Sequence, residues 1–149
     1  MPLKWQKDLG RSTYDRPVYQ DGLVFFPANS IFSSAWYSLE AASGRTLWSQ
    51  PIKRGSYYRC LTSGYLVVSG PRSLITLKAN TGEIIWEGHR AQTASCSETM
   101  VFVVVPRSFV MAYDLATGQS VWQGINPRHD VGGLIYNLEE EKLIAGGAV

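Results

Sequence analysis

With 149 residues, 45% of them hydrophobic and 17% charged, the chain has enough apolar content for one globular domain and does not have a disordered segment's composition. A formal net charge of +2 is too small to specify nucleic acid as a partner. No run of about 18 apolar residues is present that would cross a membrane as a helix.

The opening Met1-Pro2-Leu3-Lys4-Trp5 lacks the apolar stretch of a signal peptide, so a cytoplasmic protein and the mature form of an exported one both fit. Trp5 to Leu9 reads as the last strand of a preceding unit. Val18-Tyr19 and Leu23 to Phe26 read as a hairpin about Gln20-Asp21-Gly22. Pro27 to Ser34 follows as a long loop with Ile31 and Phe32 at its tip. Trp36 to Leu39 is a third strand and Thr46-Leu47-Trp48 starts a fourth.

The plan then repeats. Arg59 to Thr62, Tyr65 to Val68, Leu74 to Leu77 and Glu83 to Trp86 are four strands, with a turn at Ser63-Gly64. In the third unit Ser95-Cys96-Ser97, Met100 to Val105, Phe109 to Tyr113 and Ser120-Val121-Trp122 take the same places. A fourth unit has two strands, Gly133 to Tyr136 and Lys142 to Ala145, about a turn at Asn137 to Glu141. Cys60 and Cys96 hold equivalent places, as do Pro71-Arg72-Ser73 and Pro106-Arg107-Ser108. The cysteines match no metal or redox spacing and read as reduced, buried and inert.

Trp5, Trp48, Trp86 and Trp122 set a register of 36 to 43 residues, within the range of propeller blades. Leu39 to Trp48, Leu77 to Trp86 and Tyr113 to Trp122 are three copies of one turn motif, with Gly44, Gly82 and Gly118 at the position that needs a positive φ. In the third copy Asp114 can accept hydrogen bonds from turn amides. No helical period is sustained. Short, evenly spaced strands imply an all-β fold: a β-propeller of four-stranded antiparallel blades, three full and one partial, forming part of a ring. The blades fall at about residues 5–48, 49–86, 87–122 and 123–149 of a single repeat domain.

These residues resemble the PQQ-like repeat family, the quinoprotein-alcohol-dehydrogenase-like propellers, whose blades close on an Ala-x-Asp-x-x-Thr-Gly-x-x-x-Trp type of motif. Ala112, Asp114, Thr117, Gly118 and Trp122 sit at its places. Lys78 stands where Asp is usual, and Glu40 and Ser43 depart in the first copy. The resemblance implies that Trp48, Trp86 and Trp122 dock between blades. It also implies a choice of function. Dehydrogenase members hold a quinone and calcium with converging carboxylates and amides, whereas many other members carry no quinone and act as protein-binding scaffolds. The acidic residues here lie mainly in turns, with no Asp-x-Asp type cluster. His89 and His129 have no triad arrangement around them. The expectation is therefore a non-catalytic scaffold without cofactor. The alternative is a fragment of a quinone-dependent dehydrogenase, or a regulatory propeller of a larger enzyme.

Sorting loops by type gives a candidate surface. Connections between units carry Arg11, Lys53, Arg54, His89, Arg90, Arg128 and His129, and the loops between second and third strands carry Phe32, Arg72 and Arg107. In a propeller these loops share one face. Asp21, Glu40, Glu83, Glu98, Asp114 and Glu139 to Glu141 fall on the other. The basic face would suit an acidic peptide or phosphorylated partner, since Arg matches carboxylate and phosphate geometry. The ends of the chain suggest half a ring, completed by a second copy to about eight blades or by further blades of a longer parent.

Overall fold

The computed structural model describes residues 2–105, 110–124, 131–137 and 142–147, the last two ranges as backbone. Every element in them is a β-strand, and all pairing is antiparallel. The first sheet holds β1 (Ser12–Thr13), β2 (Val18–Gln20), β3 (Leu23–Asn29), β4 (Ser34–Glu40) and β5 (Thr46–Ile52), in the order β1-β3-β4-β5 with β2 also on β3. The second runs β6 (Tyr57–Thr62), β7 (Tyr65–Gly70), β8 (Ser73–Lys78), β9 (Ile84–Gly88). The third runs β10 (Thr93–Cys96), β11 (Met100–Val104), β12 (Val110–Asp114), β13 (Ser120–Gln123). A pair, β14 (Val131–Asn137) and β15 (Lys142–Gly147), begins a fourth. β6, β10 and β14, the first strands of successive sheets, lie beside one another, as the inner strands of blades do.

The turn motif explains the repetition. In each of the first three sheets the turn between the third and fourth strands closes with two backbone bonds, for example Lys78 N to Glu83 O and Gly82 N to Lys78 O, both 2.8 Å. The following amide ties that turn to the sheet's other hairpin: Ala41 N donates to Gly22 O, Ala79 N to Gly64 O and Leu115 N to Thr99 O, at 2.8–2.9 Å. Apolar clusters fill the spaces between sheets. Phe25, Trp36 and Trp48 meet Leu66, Val68, Ile75 and Leu77. Val67, Leu74 and Trp86 meet Ala94, Val101, Val103, Tyr113 and Leu115. β7 thus buries alternate residues against opposite neighbours, which is why Leu66-Val67-Val68 is a continuous apolar run rather than an alternating one.

Three expectations are corrected. Trp5 to Leu9 forms no strand, although Trp5 still docks by its side chain, donating from Nε1 to Ala41 O at 2.8 Å. The loop expected over Pro27 to Ser34 shrinks to Ser30 to Ser33, because β3 runs through Pro27 to Asn29. The inner strand of this sheet is broken: β2 pairs with residues 23–25 of β3 and β1 with residues 28–29. Pro27, which has no N–H to give, falls beside that break. Residues 14 and 15 are drawn instead to the second sheet. Tyr14 Oη donates to Ser56 O at 3.1 Å, and Asp15 accepts the Tyr58 amide at 2.8 Å.

The third correction is the cysteines. Cys60 and Cys96 are neither reduced nor fully buried; they are half-buried and form a disulfide with Cα atoms 6.2 Å apart. No spacing rule finds this pair, because a propeller brings together strands separated by a whole repeat.

Candidate functional site

The tryptophan docks come first, because they fix where the loops emerge. Trp48 Nε1 donates to Ala79 O at 2.8 Å and Trp86 Nε1 to Leu115 O at 2.7 Å. Each indole covers the glycine three residues beyond that carbonyl. A Cβ at Gly82 would lie 2.5 Å from the Trp48 ring and one at Gly118 2.6 Å from Trp86, so glycine is required there for close approach as well as for its positive φ. Trp5 covers Gly44 in the same way. Asp114 holds the third turn, accepting from the amides of Ala116 and Thr117 and from the Thr117 hydroxyl at 2.8–3.1 Å. Those bonds, the Thr117 hydroxyl's above all, hold its carboxyl below the usual carboxylate range. Trp122 differs from the other tryptophans: it touches Phe102 and is 39% exposed.

With the first sheet so fixed, the turn Ser30 to Ser33 stands at its rim. Ser30 N donates to Ser33 O at 2.8 Å and Ser33 N to Ser30 Oγ at 3.1 Å. Ile31 and Phe32, at the centre of that turn, are 81% and 94% exposed. Two arginines grip the turn from different connections. Arg54, after β5, donates from Nη2 to Ser30 O at 2.7 Å and Ile31 O at 3.1 Å. Arg11, before β1, donates from Nη1 to Ser33 Oγ at 3.0 Å. Together with Asp8, Ser12 and Asn29 they line an open cleft of about 760 Å³. Asp8 is the one carboxylate lining it, and its Oδ1 accepts the Gly10 amide at 2.8 Å. Neither arginine has an ion-pair partner among the described residues. Each guanidinium keeps donors free of the bonds named, beside two exposed apolar side chains.

The structure therefore brings Arg11, Arg54 and Phe32 together. Arg72, in the turn between β7 and β8, and His89 and Arg90, after β9, are exposed and stand outside this cleft. Arg107, Arg128, His129 and Glu139 to Glu141 lie outside the described residues. The acidic turns of the opposite rim are partly neutralised locally. Glu40 accepts from Ser43 and pairs with Arg45 at 3.4 Å, and Glu83 pairs with Lys78 at 2.9 Å. Loop sorting had no way to see these pairs within one hairpin. It also missed Ser30, Ser33 and Asp8, although the Ser-x-x-Ser spacing is a recognisable side-chain-to-backbone turn. No group of three metal-ligating side chains occurs among the described residues.

Four-stranded sheets joined at adjacent inner strands and pinned by indole-to-carbonyl docks make the chain part of a β-propeller. Its particular place is then plain: it belongs to the PQQ-like family described as outer membrane protein assembly factor BamB, whose profile matches residues 33–135. Among solved structures, BamB from Moraxella catarrhalis is similar with a TM-score of 0.62 at 19% identity, over 80% of this chain and 39% of that one. A europium-containing methanol dehydrogenase is similar with a TM-score of 0.61 at 18% identity, over 83% and 27%. The quinohemoprotein alcohol dehydrogenase ADHIIG from Pseudomonas putida HK5 is similar at 0.56 and 20%, over 85% and 22%. At these identities the likeness is one of fold, and this chain spans less than half the length of each. No curated protein matches.

Proposed function

We propose that this chain, a single repeat domain over residues 1–149 with the blade boundaries given above, is a non-catalytic propeller segment that binds a protein. Its binding surface is the rim of the first blade, and its partner is an acidic segment. The observation that carries this reading is the cleft: Arg11 and Arg54 hold Ile31 and Phe32 outward beside guanidinium donors that have no carboxylate partner among the described residues. Arginine and aromatic side chains are the residues that dominate protein interfaces, and an exposed aromatic beside paired guanidinium groups suits an acidic peptide with an apolar residue in it. Arg72, His89 and Arg90 extend the basic rim along which such a segment would be steered, and Arg107, Arg128 and His129, outside the described residues, are proposed to contribute by their place in the repeat. The ring is completed from outside, by a second copy or by further blades, which would cover Trp122.

The test is fluorescence anisotropy with a labelled Glu-rich peptide containing one Phe. The double variant Arg11→Glu/Arg54→Glu should bind at least about tenfold more weakly, and Phe32→Ala should lose affinity without changing the salt dependence. Equal binding by wild type and the double variant would overturn the assignment. Saturable quenching of tryptophan fluorescence by pyrroloquinoline quinone with calcium would instead favour the dehydrogenase fragment.

A further inference from the structure

Several links join the second and third blades among the described residues. At the outer edge Trp86 Nε1 donates to Leu115 O at 2.7 Å. At the hairpin turns Ser63 Oγ donates to Glu98 O at 2.8 Å. Between the inner strands Arg59 Nη2 donates to Gln92 O at 3.2 Å. The fourth link is covalent, Cys60 to Cys96.

A shift of register makes this last link feasible. Tyr65 and Met100 occupy matching places, since they pair with Lys78 and Asp114, the residues that open equivalent turns. Cys60 lies five residues before Tyr65, but Cys96 lies four before Met100. Cys60 consequently sits opposite Val67, and Cys96 opposite Val101. Directly paired residues share a face, and a shift of one residue moves a side chain to the other face. Val67 and Val101 both belong to the cluster between these two blades, with both cysteines packed against it. Had the two strands kept identical register, both thiols would point the same way around the ring and could not meet.

We propose that Cys60 and Cys96 are a dedicated oxidation site, filled by thiol–disulfide exchange in an oxidising compartment, and that the resulting bond is the redox-sensitive fastening between the second and third blades. Both residues are half-buried, so an exchange partner can reach the site. The oxidant is a disulfide of the thiol–disulfide oxidoreductase class. One cysteine thiolate attacks it, forms a mixed disulfide and releases one donor thiol. The other cysteine thiolate attacks the mixed disulfide, closes the Cys60–Cys96 bond and releases the second donor thiol. Two electrons pass to the donor, and the two protons end on its thiols. Structural disulfides of this kind persist outside the reducing cytosol.

The experiment uses the whole chain, whose only cysteines are these two. Protein produced in an oxidising compartment is alkylated under denaturing conditions with and without prior reduction, then digested and mapped by mass spectrometry. We expect no alkylation before reduction, two alkylated sites after it, and one cross-linked peptide pair. Because the bond closes a loop of 36 residues, reduction should lower the melting temperature by about 10 °C. Re-oxidation by a disulfide donor should restore it. Cys60→Ser/Cys96→Ser should melt near the reduced temperature and ignore reductant. If that variant fails to fold, the reversible shift of the wild-type protein stands as the readout. Two free thiols in the oxidised preparation, disulfide-linked dimers, or a melt unmoved by reductant would overturn the proposal. Acid-quenched, alkylated cells of the source organism report on the compartment: two blocked thiols there would also overturn it.

Discussion

Gly64 and Gly82 sit in the same blade at nearly the same φ, +77° and +73°, but in different surroundings. A Cβ added at Gly64 meets nothing within 4 Å, whereas one at Gly82 falls 2.5 Å from the buried Trp48 ring. Gly64→Ala therefore isolates the left-handed backbone penalty, about 1 kcal/mol. Gly82→Ala carries that penalty and must also expel Trp48 from its seat. Overpacking costs about 1–3 kcal/mol. Loss of the Trp48 Nε1 bond to Ala79 O leaves a buried donor unsatisfied, for about 1–3 kcal/mol more. The expected total is about 3–7 kcal/mol for Gly82→Ala. At about 3 °C per kcal/mol for a chain of this size, the two variants should melt roughly 3 °C and roughly 9–21 °C below wild type. Thermal melts followed by tryptophan fluorescence, repeated as urea titrations, measure both. Equal shifts for the two variants would refute the claim that indole docking, rather than backbone conformation, fixes the glycine.

Trp86→Ala removes a buried indole and its bond to Leu115 O and should cost about 3–5 kcal/mol in the same melts. The Tyr14 phenol is pushed up to about 12, chiefly by burial and then by Tyr57 and Asp15. The unfolded phenol titrates near 10, so its contribution to stability is complete below pH 10 and declines as the pH rises from 10 to 12. Tyr14→Phe should flatten that part of an alkaline stability profile. The Asp114 carboxyl is held low by Thr117, so its contribution is present above the usual carboxylate range and lost as the pH falls below it. Asp114→Ala should lower the melting temperature at pH 7 and remove that acid sensitivity.

The fold was legible because each blade is a local object. Tyr113 to Trp122 contains its own turn, bulge and docking residue, and its periodicity needs no partner to be seen. What escaped depended on contacts between repeats or on residues outside the motif. The strand expected at Trp5 to Leu9 failed because the motif encodes the indole's seat at Gly44, and a neighbouring strand must still be present to pair the backbone. The cysteines escaped because equivalence in the repeat argues against their meeting, and only a one-residue difference in register reverses that. At the candidate site, loop type was enough to assign Arg11, Arg54 and Phe32 to one rim. It was not enough to show that two arginines from separate connections close on the carbonyl and hydroxyl oxygens of one four-residue turn.

The docked hairpins also bear on how the ring is completed. Among the described residues the left-handed glycines of the three turns between third and fourth strands, Gly44, Gly82 and Gly118, already carry Trp5, Trp48 and Trp86. A second copy could seat Trp122 on its own Gly44 only by displacing its own Trp5. That exchange replaces one indole-to-carbonyl dock by another and gains little at the dock itself. A further blade would bring an unoccupied turn and bury the indole at no such loss, gaining about 1.5–3 kcal/mol for a large apolar side chain withdrawn from water. The two routes separate in one measurement, gel filtration with light scattering on Trp5→Ala beside wild type. If a second copy covers Trp122, emptying Gly44 should raise the dimer fraction at a given concentration. If further blades cover it, Trp5→Ala should lower the melting temperature and leave the dimer fraction unchanged. A monodisperse 16.6 kDa species for both wild type and Trp5→Ala would overturn the second-copy route.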